Sequence, residues 1–180
     1  MLLGNLLKSV SKNYQKIFVN NICFDSRKIR KNDIFFAITG NQTSGNKFIH
    51  QAISGGASVI ISDKNIKLKN CQVPLIKVKD VRKILSEACS KFYKKKPPNL
   101  IAVTGTNGKS SIVDFYYQIL SLNKMSAASI GTLGVVSKNY SKTTNLTSME
   151  PLSLHKNLQH LAKNKINNVI LEASSHGLKQ

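Results

Sequence analysis

Gly105-Thr106-Asn107-Gly108-Lys109-Ser110, followed by Ser111, has the composition of a loop that holds a phosphate. Glycines let main-chain N–H groups converge on an anion, because no Cβ stands in the way. Lys109 offers a point charge to the β- and γ-phosphates of a nucleotide, and Ser110 a hydroxyl to Mg²⁺. The strict pattern G-x-x-x-x-G-K-[ST] is not met, since Val103 stands where its first glycine belongs. The setting is the one the motif needs. Leu100-Ile101-Ala102-Val103 reads as a parallel strand buried on both faces. Ile112, Val113, Tyr116, Ile119 and Leu120 recur along one face of a helix beginning near Lys109. Such a helix adds its own unpaired N–H groups and the positive end of its dipole. The competing reading is a glycine-rich turn between strand and helix with an incidental lysine.

The elements that carry this loop begin after Lys94-Lys95-Lys96-Pro97-Pro98-Asn99. Adjacent prolines stop a helix and make a stiff spacer, so a boundary is expected between a domain of residues 1–96 and one of residues 97–180. Ahead of it, Leu2, Leu3, Leu6, Leu7 and Val10 fit one face of a short helix. DIFFAITG, SVIIS and VPLIKV read as strands. NKFIHQAISGGA reads as a helix with Phe48, Ile49, Ala52 and Ile53 inward. DVRKILSEACSKFYKK reads as another, capped by Asp80. Behind the prolines come SAASIGT as a strand, a polar stretch over residues 137–146, a helix over about residues 150–163, and NNVILEASS as a strand. The fold class is α/β: a small N-terminal α/β domain, then a parallel-sheet domain of the P-loop type. Two and a half βα units do not complete a doubly wound sheet, so that second domain is expected to be truncated.

Composition narrows the partners. An apolar fraction of 41% with 19% charged residues describes a chain that folds around a core. The net charge of +19 raises nucleic acid as a partner. The lysines are nevertheless spread along the chain, without an arginine-rich arm or aromatic-basic alternation, so no nucleic acid is expected. Cys23, Cys71 and Cys89 are scattered and odd in number, as in a reducing, cytoplasmic setting. No apolar run approaches the length needed to span a bilayer. His50, His155 and His160 lack metal-ligand spacing.

Gly-Thr-Asn-Gly-Lys-Ser after Val-Thr resembles the shortened phosphate loop of the Mur ligases, ATP-dependent enzymes that build the peptidoglycan stem peptide; folylpolyglutamate synthases share that loop. DSRKIRKNDIFFAITGNQTSGNKFIHQAISGGASVIISD, residues 25–63, is similar to the family's N-terminal UDP-sugar-binding domain. SIGTLG, NLTSMEPLSLH and LEASSHGLKQ resemble the branch of the family that adds a diamino acid.

The resemblance implies an activity and a set of residues. ATP activates the D-glutamate γ-carboxylate of UDP-MurNAc-L-Ala-D-Glu as an acyl phosphate, and the amine of a diamino acid, meso-diaminopimelate or lysine, displaces the phosphate. Gly105, Thr106, Asn107, Gly108, Lys109, Ser110 and Ser111 would hold ATP, with Ser110 and Glu172 on Mg²⁺ and Lys109 and Glu172 as the catalytic pair. An acidic residue inside an apolar strand, in a chain with 8 acids, favours metal over a bare strand-end carboxylate. Phe24 and Ser26 match contacts to the uridine end, Asn41, Gln42 and Thr43 a second nucleotide-contacting turn, Thr147 and Ser148 contacts to the muramoyl peptide, and Ser174 and Gln180 further substrate contacts. On residue type alone, Asp25-Ser26-Arg27 is equally a capped turn, Thr147 and Ser148 are equally a helix cap, and His176 is a hydrogen-bonding loop residue. Leu146 departs from the asparagine of some members. The family's active-site lysine and C-terminal domain find no match, so this chain alone is expected to be an inactive fragment and a monomer. Two other classes stay open: a nucleotide-binding domain without catalysis and a basic nucleic-acid-binding protein.

Overall fold

Valine, isoleucine and phenylalanine gather in short runs ahead of the prolines, and most of these runs become strands. The computed structural model describes residues 1–8, 10–40, 43–64, 73–143 and 149–174. It divides into two units, Met1–Phe92 and Tyr93–Gln180, just ahead of the Lys-Pro run.

In the first unit β1 (Ile22–Cys23), β2 (Ile34–Phe36), β3 (Val59–Ser62) and β4 (Leu75–Lys77) form a parallel sheet in sequence order. Register is fixed by pairs such as Ile22↔Ile34, Ile34↔Val59 and Ile61↔Ile76. Successive side chains on a strand face opposite ways. Phe35 and Ile60 therefore share one face, where they cluster with Ile49 and Ala52 of α2 (Ile49–Ser54). Ile34, Phe36, Val59 and Ile61 point the other way and are just as buried. α1 (Leu3–Leu6) and α3 (Val81–Phe92) contact each other, and Lys91 Nζ donates to the Leu6 carbonyl at 2.9 Å. Asp80 caps α3 as expected, its Oδ1 accepting from the Lys83 N–H at 3.0 Å. Two details depart from periodicity. Leu2 pairs as a bridge with Phe18 instead of joining a helix and is exposed. Phe48 ends a 3-10 turn (Gly45–Phe48) ahead of α2, which rotates its ring outward. Cys23 and Cys89 are buried and not joined in a disulfide; Cys71 lies outside the described residues.

The second unit carries β5 (Asn99–Val103), α4 (Lys109–Leu122), β6 (Ala127–Gly131), β7 (Gly134–Ser137), β8 (Tyr140–Lys142), α5 (Pro151–Lys163) and β9 (Asn168–Glu172). The sheet order is β5-β9-β6-β7-β8. β9 runs parallel to both β5 and β6, and β7 and β8 extend the sheet antiparallel. The polar stretch read over residues 137–146 thus contains a hairpin. Ser137 pairs with Tyr140 across Lys138-Asn139, and Val135 and Val136 supply the β-branched residues that favour a strand. α5 packs Leu158 and Leu161 against Ala128, Ile130, Val135 and Val169. Glu150 caps α5, accepting from the Leu152 and Ser153 N–H groups at 2.6 and 2.9 Å; Thr147 and Ser148, also read as a cap, lie outside the described residues.

One expectation fails. β5 is an edge strand among the described residues, with Leu100 and Ile101 exposed at 43% and 39%, not buried on both faces. The helix beside it follows suit: Val113 is buried, whereas Ile112, Phe115, Ile119 and Leu122 are exposed. No described helix is long and apolar enough to cross a membrane.

His155 on α5 makes stability depend on pH. Its Nδ1 is buried without a partner, and burial, followed by the charge of Lys96, lowers its pKa from 6.5 to about 4. The folded state therefore holds the neutral ring. The stability this confers is complete above pH 6.5 and drains away as pH falls towards 4. Thermal unfolding midpoints are expected to drop across that window, and a scan of His155→Leu from pH 7 to pH 4 should be flatter.

Candidate functional site

Parallel strands place their carboxyl ends on one edge, where ligands bind in open α/β sheets. In the second unit that edge gathers three segments: the loop after β5, the turn after β6 and the last residue of β9. Gly105 and Gly108 have φ of +148° and +77°, a region L side chains rarely adopt. A Cβ on Gly108 would meet nothing within 4 Å, so the backbone conformation, not space, calls for glycine there. Gly108 opens α4 with no side chain capping it, which leaves the N–H groups of Lys109, Ser110 and Ser111 facing the loop's end of the helix. Thr106 and Asn107 are exposed at its tip. Lys109 Nζ folds back to donate to the carbonyls of Gly105 and Thr106 at 2.8 and 3.0 Å. The ammonium thus waits within the loop itself.

Glu172 is only 4% exposed. Its Oε1 accepts from the Thr132 N–H at 2.9 Å, and its Oε2 from the Ser110 and Thr132 hydroxyls at 3.0 and 3.1 Å. The two hydroxyl oxygens lie 3.5 Å apart. Two hydroxyls and a carboxylate at the foot of a phosphate loop form an all-oxygen donor set, the kind Mg²⁺ takes together with substrate phosphates. Ser110 and Glu172, which the sequence reading paired on Mg²⁺, are brought together. Thr132 and its neighbour Gly131 escaped that reading. Their signal was position: Gly131 ends β6 and Thr132 follows it, and β6 pairs with β9, which brings both beside Glu172. A Cβ on Gly131 would overlap the Glu172 carboxylate, coming within 2.6 Å of its Cγ and Cδ.

The first unit has a polar edge of its own. Phe24 and Ser26 follow β1; Ser26 is buried and donates to Gln51 Oε1 at 2.7 Å. Asp25 accepts from the Arg27 N–H at 3.1 Å and from its guanidinium at 2.9 Å through each oxygen, so the capped turn is formed. That pairing with Arg27 lowers the Asp25 pKa. After β2, Thr43 accepts from the Gly40 N–H at 2.9 Å, and Thr39 bridges to Ser44. The turn is tied down by Asn46, whose amide donates to Ser44 Oγ at 3.1 Å and Asp63 Oδ1 at 2.9 Å while accepting from Ser62 Oγ at 2.7 Å. Asn46, with Thr39 behind it, lowers the Asp63 pKa. Neither Asn46 nor Asp63 was singled out from sequence, because only folding brings β3 beside this turn. Asn41, Gln42, Thr147, Ser148, His176 and Gln180 lie outside the described residues; Ser174 is half-buried just past β9.

A phosphate-type loop beside a strand-end carboxylate, in a chain that also carries a separate α/β unit, is the arrangement found in α/β proteins of the P-loop class. Comparison with known families narrows this. The family described as "Mur ligase family, catalytic domain" matches residues 18–93, and the "Mur ligase middle domain" matches residues 103–180. The chain belongs to the Mur ligase family. It is 45% identical over 181 residues to the UDP-N-acetylmuramoyl-L-alanyl-D-glutamate--2,6-diaminopimelate ligase of Rickettsia montanensis, an alignment covering 95% of this chain and 37% of that protein. To the enzyme of the same name from Bradyrhizobium diazoefficiens it is 38% identical, covering 90% of this chain and 33% of the relative. A solved structure of a ligase of that name superposes with a TM-score of 0.81 at 28% identity, covering 99% of this chain and 37% of the other. The MurF ligase from Thermotoga maritima in complex with ADP shares the fold, with a TM-score of 0.56 at 24% identity, over 86% of this chain and 32% of the other. The chain therefore spans about a third of the length of these relatives.

Proposed function

We propose that this chain is the substrate- and nucleotide-binding portion of an ATP-dependent amide ligase of peptidoglycan precursor synthesis. The reaction joins a diamino acid, meso-diaminopimelate by likeness to the relatives' names, to UDP-MurNAc-L-Ala-D-Glu. The observation that carries the reading is the cluster of Ser110, Thr132 and Glu172 oxygens beside the glycine loop. Phosphoryl transfer asks for positioning and charge neutralisation more than for covalent work by the protein. Lys109 would exchange its two loop carbonyls for the β- and γ-phosphates, and the N–H groups opening α4 would hold their oxygens. Ser110 and Glu172 would hold Mg²⁺, which when bound draws charge from the transferred phosphoryl group. Residues 1–96 would serve as the UDP-sugar domain, with Phe24, Ser26, Asn41, Gln42 and Thr43 at the uridine end. Thr147, Ser148, Ser174 and Gln180, in the domain of residues 97–180, would touch the muramoyl peptide. A cytoplasmic location goes with this reading, because both nucleotide substrates are made there.

Calorimetric titration of the 180-residue chain tests it. ATP with Mg²⁺ and UDP-MurNAc-L-Ala-D-Glu should each bind at one site, and random duplex DNA should bind only weakly once salt is physiological. Tight duplex binding with a steep salt slope, and no heat from either nucleotide, would instead support the basic nucleic-acid reading raised by the net charge of +19.

A further inference from the structure

Glu172 reaches the carboxyl edge of the sheet from a buried strand end. Thr132 holds its carboxylate through two bonds of different kinds. Its main-chain N–H holds Oε1 at 2.9 Å and its hydroxyl holds Oε2 at 3.1 Å, so both oxygens of the carboxylate are tied to one residue. Gly131 supplies the room: any Cβ there would occupy the carboxylate's place. Ser110, which opens α4 from the loop, meets the same Oε2 at 3.0 Å. Three elements that are distant in sequence thus converge on one oxygen, and Thr132 is the member that reaches both ends of the carboxylate.

We propose that Thr132 is the positioning residue of the divalent cation site, holding Glu172 so that Oε2 faces the cation together with Ser110. This rests on the nucleotide-and-Mg²⁺ reading of the loop. A threonine hydroxyl donates one hydrogen and retains lone pairs, so it can orient the carboxylate and still face a cation. The main-chain N–H survives any substitution, which makes the hydroxyl the testable half of the arrangement. Outer partners of metal ligands are worth about 10- to 100-fold in metal affinity.

The test compares the affinity of the full 180-residue chain for N-methylanthraniloyl-ATP in EDTA and in Mg²⁺, by fluorescence titration. The readout is the gain that Mg²⁺ confers on nucleotide affinity. Thr132→Val should cut that gain about 10-fold while leaving the affinity in EDTA unchanged, and Thr132→Ser should restore it. A valine variant with the full Mg²⁺ gain would overturn the proposal and leave the loop reading intact. So would a serine variant that loses the gain while its circular-dichroism melt matches that of the unsubstituted chain. An unsubstituted chain that binds no nucleotide in either buffer would remove the reading underneath. Should the valine variant fail to fold, the serine variant decides alone, because it keeps the hydroxyl and alters only a methyl group.

Discussion

Replacing Lys109 by alanine lowers the affinity of the chain for ATP by about 100-fold, a loss of the size expected for charge-assisted hydrogen bonds to phosphate. The ammonium already makes two hydrogen bonds inside the loop, to Gly105 and Thr106. Binding a nucleotide therefore exchanges neutral carbonyl acceptors for anionic oxygens, and the difference, not the whole interaction, appears in the affinity. Arginine at this position is not expected to rescue binding, since its planar fork does not fit between carbonyls arranged for a compact ammonium. Stability should change little, because Lys109 is not in either hydrophobic core. Equilibrium titration with a fluorescent ATP analogue, beside a thermal melt, separates the two effects. A Lys109→Ala chain that binds ATP as before would mean that the loop does not hold the triphosphate.

Gly131→Ala has the other large effect, and it acts on stability and site together. The new methyl group would overlap the buried Glu172 carboxylate. Either the strand shifts or Glu172 gives up its bonds to Thr132 and Ser110. Overpacking and lost charge-assisted bonds together amount to about 3 kcal/mol, or a fall in unfolding midpoint of roughly 10–20 °C for a unit of this size. Adding Glu172→Ala to Gly131→Ala removes the overlap. The double variant should recover only the part of the midpoint lost to overpacking, and none of the Mg²⁺-dependent nucleotide binding. A single variant with an unchanged melt would contradict the geometry assigned to β6 and β9.

The loop and its flanking elements were legible because local rules govern them. Glycines at φ of +148° and +77°, a strand before them and a helix after them all follow from residue type and spacing over about twenty positions. Asp80 as a cap and three of the four strands ahead of the prolines, β2 to β4, were readable for the same reason. Thr132 and Gly131 were not, because their partner lies forty residues away and becomes adjacent only when β6 pairs with β9. Asn46 and Asp63 are the equivalent case in the first unit. The burial of β5 was misread on other grounds. An apolar run reports that a strand suits a covered position, but a neighbour has to cover it, and among the described residues β5 has one on a single side. The 3-10 turn that carries Phe48 outward shows the finer limit of periodicity, since a short change in helical winding moves a side chain to another face.

The central claim is that the loop around Asn107 and Lys109 receives a triphosphate. The most direct measurement is a titration of the ¹⁵N-labelled chain with ATP and Mg²⁺, followed by amide resonances. The account predicts that the largest shifts fall on Gly105 to Ser111, with Thr132 and Glu172 next and only when Mg²⁺ is present. Shifts confined to lysine-rich surface away from these residues, or none at millimolar nucleotide, would contradict it.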